Sequence, residues 1–180
     1  MRMKFNKSNF TPKSIAFTAL MTAITIGLSF IRIPFIVPFT LQTLACMLAG
    51  LLLPAKEATV SQLLYILLGL LGLPIFTGGG GLAYIIYPTF GYILYMPAMT
   101  LTIALLKQKN TVLAMVAAIV PQLAFGLLYY YFIVTVVQGA QQQLAQLFSV
   151  LVLPFLPAEL LKAVAALLLY RYFPNSLKNS

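Results

Sequence analysis

Two charged residues stand where charge is expensive. The stretch LPFLPAELLKAVAALLLYRYF, Leu153 to Phe173, carries Glu159 and Lys162 inside an otherwise apolar run. A charge at mid-bilayer costs about 2.5–3.5 kcal/mol on insertion scales, so the pair needs a reason. A spacing of three puts both side chains on one helix face. Pro157 fits the first turn of such a helix, where its missing N–H is not needed. Glu159 then falls in that same turn, where the positive helix end favours a carboxylate. Two readings follow. In one, the pair neutralises itself and marks a helix start. In the other, an acceptor carboxylate and a donor ammonium form the polar floor of a ligand pocket, in which a few placed polar groups within apolar walls set orientation.

Little else in the chain can react. It has no His and no Asp, and Glu57 and Glu159 are its only carboxylates. A hydrolase or metalloprotease needs a base, a nucleophile or metal ligands, and no such set is present. Cys46 is the single cysteine, so an intrachain disulfide and a cysteine-based zinc site are both excluded. It reads as a small buried hydrophobe. The run TGGGG, Thr77–Gly81, lets backbone approach a ligand closely or adopt positive φ. It is no phosphate-binding P-loop, because no Lys-Ser or Lys-Thr follows. Only Glu159 could serve as an ion relay, and no inverted repeat accompanies it.

Other polar positions are ambiguous on their own. Gln42 and Thr43 sit at the start of an apolar segment and either cap a helix or touch ligand. Tyr84, Tyr87, Thr89 and Tyr92 either line a pocket or belong to an interfacial aromatic belt. Of Tyr129, Tyr130 and Tyr131, which point in different directions around one turn, at most two can face a pocket. Ala16, Ala19, Ala23 and Gly27 give the first apolar segment a stripe of small residues, which allows close helix approach either within the chain or to a partner.

These residues must be positioned by membrane-embedded helices. The 180-residue chain is 62% hydrophobic and 7% charged, with a mean hydropathy of +1.00. Soluble domains carry roughly 25% charged residues, and a soluble protein of this size could not hide so much apolar surface. The expected fold is an all-α integral membrane protein, a single domain over 1–180 with six spans near 14–31, 40–53, 59–71, 84–106, 111–137 and 157–173. The second and third are shorter than the ~20 residues that cross hydrocarbon. They are read as a hairpin of short or tilted helices, with a re-entrant element as the alternative, broken by Pro54, Lys56 and Glu57.

Six spans place nine of the eleven basic residues on one side: Arg2, Lys4, Lys7, Lys13, Lys56, Lys107, Lys109, Arg171 and Lys178. Positive charge collects on the cytoplasmic side, so both termini are expected there. The net charge of +9 thus reports topology and not nucleic-acid binding. Arg32 is the lone basic residue of the opposite face and could meet a ligand carboxylate, a lipid phosphate or water. A cleaved signal peptide is not expected, because no small-x-small site follows the long first run. On the outer face, the connections Arg32–Thr40, Gly72–Tyr92 and Gln138–Pro157 are apolar and aromatic where exposed loops would be polar. Irregular backbone at membrane depth persists only when packed in protein or lining a cavity, which points to an outward pocket.

The combination of TLQTLACMLAGLLL, SQLLYILLGLLGLP, GGGGLAYIIYPTFGY and FLPAELLKA resembles the BioY family, the substrate-binding subunits of energy-coupling-factor biotin transporters. The match covers roughly Arg32–Pro97 and Pro154–Ala163. The resemblance implies biotin captured from outside at the plasma membrane of a bacterium, with no cofactor and no enzymatic activity in this chain. It implies partners as well, a transmembrane coupling protein and two cytoplasmic ATPases, with Ala16, Ala19 and Ala23 as the docking stripe. In the family's last helix an acidic residue and a lysine three apart contact the biotin head group, and these positions match Glu159 and Lys162. Gln42, Thr43, Gly79, Gly80, Tyr84, Thr89, Tyr92 and Arg32 complete the expected substrate site. Two departures stand out. The family's PGD is here Pro157-Ala158-Glu159, and its PTGGY is here PTFGY, with Phe90 in place of a glycine. Together they could reshape the site for a biotin-like acid such as lipoate or dethiobiotin. A self-sufficient carrier is the remaining alternative.

Overall fold

The computed structural model describes residues 11–34 and 39–173. Arg2, Lys4, Lys7, Lys178 and the middle of the Arg32–Thr40 connection lie outside the described residues. Helix α1 spans Pro12–Ser29. Thr11 caps it by accepting the Ser14 N–H at 3.2 Å, and Pro12 occupies the first turn, where no N–H is needed. Strands β1 (Arg32–Ile33) and β2 (Phe39–Thr40) form a two-residue antiparallel ribbon, pairing Arg32 with Thr40 and Ile33 with Phe39. It turns the chain back so that α2, Gln42–Leu52, enters the bundle beside α1.

Helix α2 is the centre. Eleven residues reach only about 16 Å at 1.5 Å per residue, short of the hydrocarbon thickness. Residues 45–52 of it are all buried, because α1, α3 (Ala55–Leu70), α5 (Met96–Leu106) and α8 (Leu153–Tyr172) pack around it. A helix that is apolar on every side belongs in such a position. Helix α3, Ala55–Leu70, makes the expected hairpin with α2 but begins four residues before the sequence reading placed it. Pro54 stops α2, and Glu57 suits the first turn of the next helix rather than a loop. The Glu57 carboxylate is buried there and accepts the Ser14 hydroxyl at 2.8 Å. At the same end Lys107, just past α5, donates to the Leu51 and Leu53 carbonyls at 2.8 and 2.9 Å and closes the end of α2.

The fourth span is not one helix from residue 84. A 3₁₀ turn over Leu82–Ile86 is followed by α4 (Phe90–Leu94) and α5 (Met96–Leu106). Pro97 lacks the N–H that would tie α5 to α4, so the break falls at Tyr95. Helix α6 spans Thr111–Phe132, capped by Asn110 Oδ1 on two N–H groups, and runs on as a π-helical turn to Val137.

The last span also differs from expectation. Helix begins at α7 (Leu144–Leu147), continues through a π turn over Phe148–Val152, and becomes α8 (Leu153–Tyr172). Pro154, not Pro157, sits in the first turn of α8; Pro157 lies inside the helix. Glu159 is therefore beyond the first turn, and the helix-start account of its charge does not apply.

Three helical stretches, Pro12–Ser29, Thr111–Val137 and Leu144–Tyr172, are long and apolar enough to cross a membrane, and Gln42–Leu52 and Phe90–Leu106 are shorter apolar pieces. Leu63, Leu64 and Leu67 of α3 and Leu161, Val164 and Leu168 of α8 are exposed, as lipid-facing side chains must be. A polar seam runs between α1 and its neighbours. Thr22 faces the Ser61 carbonyl at 3.0 Å, Gln62 donates to Thr25 at 3.3 Å, and the Cys46 thiol contacts Gln62 Oε1 at 3.3 Å. Ser29 donates to the Ile75 carbonyl at 2.7 Å. Ala16, Ala19, Ala23 and Gly27 lie on the opposite, exposed face of α1.

Candidate ligand-binding site

Helix α8 presents Glu159 and Lys162 inward, 3% and 5% exposed, with Nζ 2.5 Å from Oε1. Burying two charges is costly, and their attraction offsets that only when further hydrogen bonds complete the set. Thr43, in the first turn of α2, supplies most of them. Its hydroxyl donates to Glu159 Oε1 at 3.0 Å and accepts from Lys162 Nζ at 2.5 Å. The Thr40 carbonyl takes a further lysine proton at 3.3 Å, and the ammonium lies 5.5 Å from the Phe39 ring centroid. An ammonium has three protons, and all three have partners here. Glu159 Oε2 has none.

The pair borders a cavity of about 270 Å³. That is room for a small organic molecule. Its walls come from the β2–α2 junction, the Gly-rich loop, α4, α5, α6 and α8. Aromatic pairs define two sides. Tyr84 stacks on Tyr87 with centroids 4.7 Å apart, and Tyr92 stacks on Phe155 at 5.7 Å, both at 8° between planes. Gln42 lines the cavity while donating to Met96 Sδ at 3.0 Å. Polar atoms are few on these mainly apolar walls, the pattern of a small-molecule site.

Of the residues singled out in the sequence, Gln42, Thr43, Tyr84, Tyr87, Thr89, Tyr92, Glu159 and Lys162 line this cavity. Arg32, Gly79, Gly80 and Phe90 do not. Arg32 donates to the Thr77 carbonyl and so braces the Gly-rich loop. Gly79 has φ +122°, and its N–H and C=O are spent on a two-bond bridge to Phe76. A Cβ on Gly80 would lie 2.1 Å from the Leu73 carbonyl oxygen. Both glycines shape the loop, and Gly78 is the one that reaches the cavity. Phe90 is 2% exposed and packs with Phe76, Tyr84 and Tyr129. None of Tyr129, Tyr130 and Tyr131 lines the cavity; the Tyr129 hydroxyl donates to the Ile85 carbonyl at 2.5 Å. Of the expected outer connection Gln138–Pro157, only Phe155 lines it.

Sequence reasoning missed Phe39, Phe155 and Gln122. Phe155, Glu159 and Lys162 follow an i, i+4, i+7 pattern, which could have placed Phe155 on the inward face. Gln122 is a lone amide within the long apolar run of α6, a signal in itself.

These features define a helical membrane protein with a buried ion pair set into one small-molecule cavity. The chain belongs to the BioY family, whose profile matches residues 3–179. It is 34% identical over 164 residues to the probable biotin transporter BioY of Lysinibacillus sphaericus, covering 87% of this chain and 84% of that one. It is 32% identical over 173 residues to the biotin transporter BioY of Lactococcus lactis subsp. cremoris, covering 91% and 92%. Its fold matches the crystal structure of the S-component for biotin from an ECF-type ABC transporter, with a TM-score of 0.65 and 32% identity over 88% of this chain and 89% of that one.

Proposed function

We propose that this chain is the substrate-binding membrane subunit of an energy-coupling-factor transporter and that it captures biotin in the cavity beside Glu159 and Lys162. The observation that carries the reading is the buried pair itself. Thr43 holds it in place, it borders the cavity, and it leaves one buried carboxylate oxygen without a hydrogen-bond partner. Family membership and the likeness to a solved biotin S-component support biotin as the substrate. The reading rests on Gln42, Thr43, Tyr84, Thr89 and Tyr92 as further contacts. A biotin-like acid is the weaker choice, since Phe90, one of the two departures that favoured it, is not among the residues that line the cavity.

The chain resides in the cell membrane with both termini cytoplasmic and the cavity toward the outside. A coupling protein and two cytoplasmic ATPases supply the energy, with no cofactor in this chain. The exposed small face of α1 is the docking surface. Ala19→Trp adds bulk on that face alone, so biotin binding by the isolated chain is expected to persist while uptake by the assembled transporter is lost. Loss of binding in the isolated variant would instead make the stripe internal packing.

The direct test is calorimetric titration of the detergent-purified chain with biotin, the absence of Trp removing the usual fluorescence probe. Glu159→Gln is expected to weaken binding by about 1–3 kcal/mol, the scale for a charged hydrogen-bond partner. Unchanged affinity would return the pair to a purely structural role. Biotin uptake into liposomes by the chain alone would favour a self-sufficient carrier.

A further inference from the structure

Among the described residues, four buried side-chain polar atoms have no hydrogen-bond partner: Glu57 Oε2, Tyr92 Oη, Gln122 Oε1 and Glu159 Oε2. Three of the four belong to residues that line the cavity beside Glu159 and Lys162. They come from three different helices, α4, α6 and α8. Buried polar groups are almost always paired, so three orphans around one space describe what should fill it. The ligand must bring donors for the two acceptor oxygens and an acceptor for the phenol. Lys162 is not available for this, because its three protons are already engaged.

We infer that Gln122 is a specificity-determining residue that reads the cyclic urea of the ligand; this rests on the biotin reading above. A cyclic urea presents two N–H donors on either side of one carbonyl. A primary amide offers an acceptor beside a donor, the complement of one N–H/C=O edge of that ring. Gln122, 1% exposed, thus pairs with one edge while Glu159 Oε2 accepts from the other N–H. Tyr92 remains to donate to the carbonyl. One turn along α6 from Gln122, Gly126 makes room for this tyrosine. A Cβ there would lie 2.2 Å from Tyr92 Cε1, so the ring rests on bare backbone and stacks on Phe155 from its other neighbour. Lipoate has no N–H donor pair and would leave both acceptors unpaired. A site built to hydrogen-bond its substrate rejects an analogue that cannot do so.

The test uses Gln122→Met and Gln122→Leu in the purified chain, titrated with biotin and with dethiobiotin, which keeps the urea. Both variants should bind both ligands at least tenfold more weakly than the parent. Their unliganded melting temperature should stay the same or rise, since each removes a buried amide that has no partner for its oxygen. Unchanged biotin affinity overturns the assignment. So does a fall in affinity that tracks a fall in unliganded melting temperature, which is the mark of a packing role. Weaker biotin with unaltered dethiobiotin would also overturn it, because the contact would then lie elsewhere on the ligand. If the unsubstituted chain does not bind biotin, the underlying reading fails and takes this inference with it.

Discussion

Lys162→Met is expected to destabilise the unliganded protein by about 3–5 kcal/mol and to abolish measurable biotin binding. The carboxylate of Glu159 is 3% exposed and would be left with Thr43 as its single partner. Removing one member of a buried pair strands the other charge, and that, rather than the lost attraction, sets the size of the effect. The same argument predicts the behaviour of Glu159→Leu combined with Lys162→Met. Replacing both charges by apolar groups of similar volume is often neutral or stabilising. The double variant should therefore regain most of the melting temperature and none of the binding. That split would show the charges to be kept for the ligand. A double variant as unstable as Lys162→Met would show instead that the pair holds α8 against α2.

Gly80→Ala is expected to cost about 1–3 kcal/mol of stability and at least tenfold in biotin affinity. The added Cβ would meet backbone oxygens, Leu73 O at 2.1 Å and Gly69 O at 3.0 Å, which cannot swing aside as a side chain does. The loop it disturbs is held at every turn. Gly81 N–H donates to Gly69 O at 2.7 Å, and Ser29 and Tyr65 both donate to Ile75 O, at 2.7 and 3.0 Å. This loop brings Thr77 and Gly78 to the cavity. Gly78→Ala is the comparison. Its Cβ would be 3.4 Å from the Tyr84 ring, an ordinary contact, so the loop should keep its fold. Unfolding and binding measurements that gave equal losses for the two variants would refute the steric account.

The sequence shows the six-span plan and the charged pair because both rest on signals that do not depend on context. Proline, glycine and basic residues punctuate the apolar runs, and a charge within such a run is costly wherever the helix sits. What it hides is geometry set by neighbours. Pro157 reads as the helix start, and only the helix that already runs in through the π turn over Phe148–Val152 puts Pro154 in that place instead. The glycine run suggests contact with ligand, but Gly80 is needed because a carbonyl passes close by. Phe90 suggests a reshaped pocket until the 3₁₀ turn before it directs the ring into the Phe76 cluster. Gln122 has no patterned companions, so its importance emerges only once Tyr92 and Glu159 are seen beside the same space.

The hydroxyls of α1 bear on how the protein is made. Thr18, Thr22 and Thr25 each reach the carbonyl one turn back in their own helix, at 2.8–3.0 Å, and Ser29 reaches that of Ile26 at 2.7 Å. A hydroxyl that enters lipid without a partner is penalised. These four bring acceptors with them, so α1 can leave the translocation machinery and rest in the bilayer before α3 has been synthesised. Thr22 and Ser29 then share their protons with Ser61 O and Ile75 O as the later segments arrive. The order of synthesis of α1 and α3 and the order of hydrogen bonding thus agree, and through Ser29 the same helix braces the loop beside the cavity.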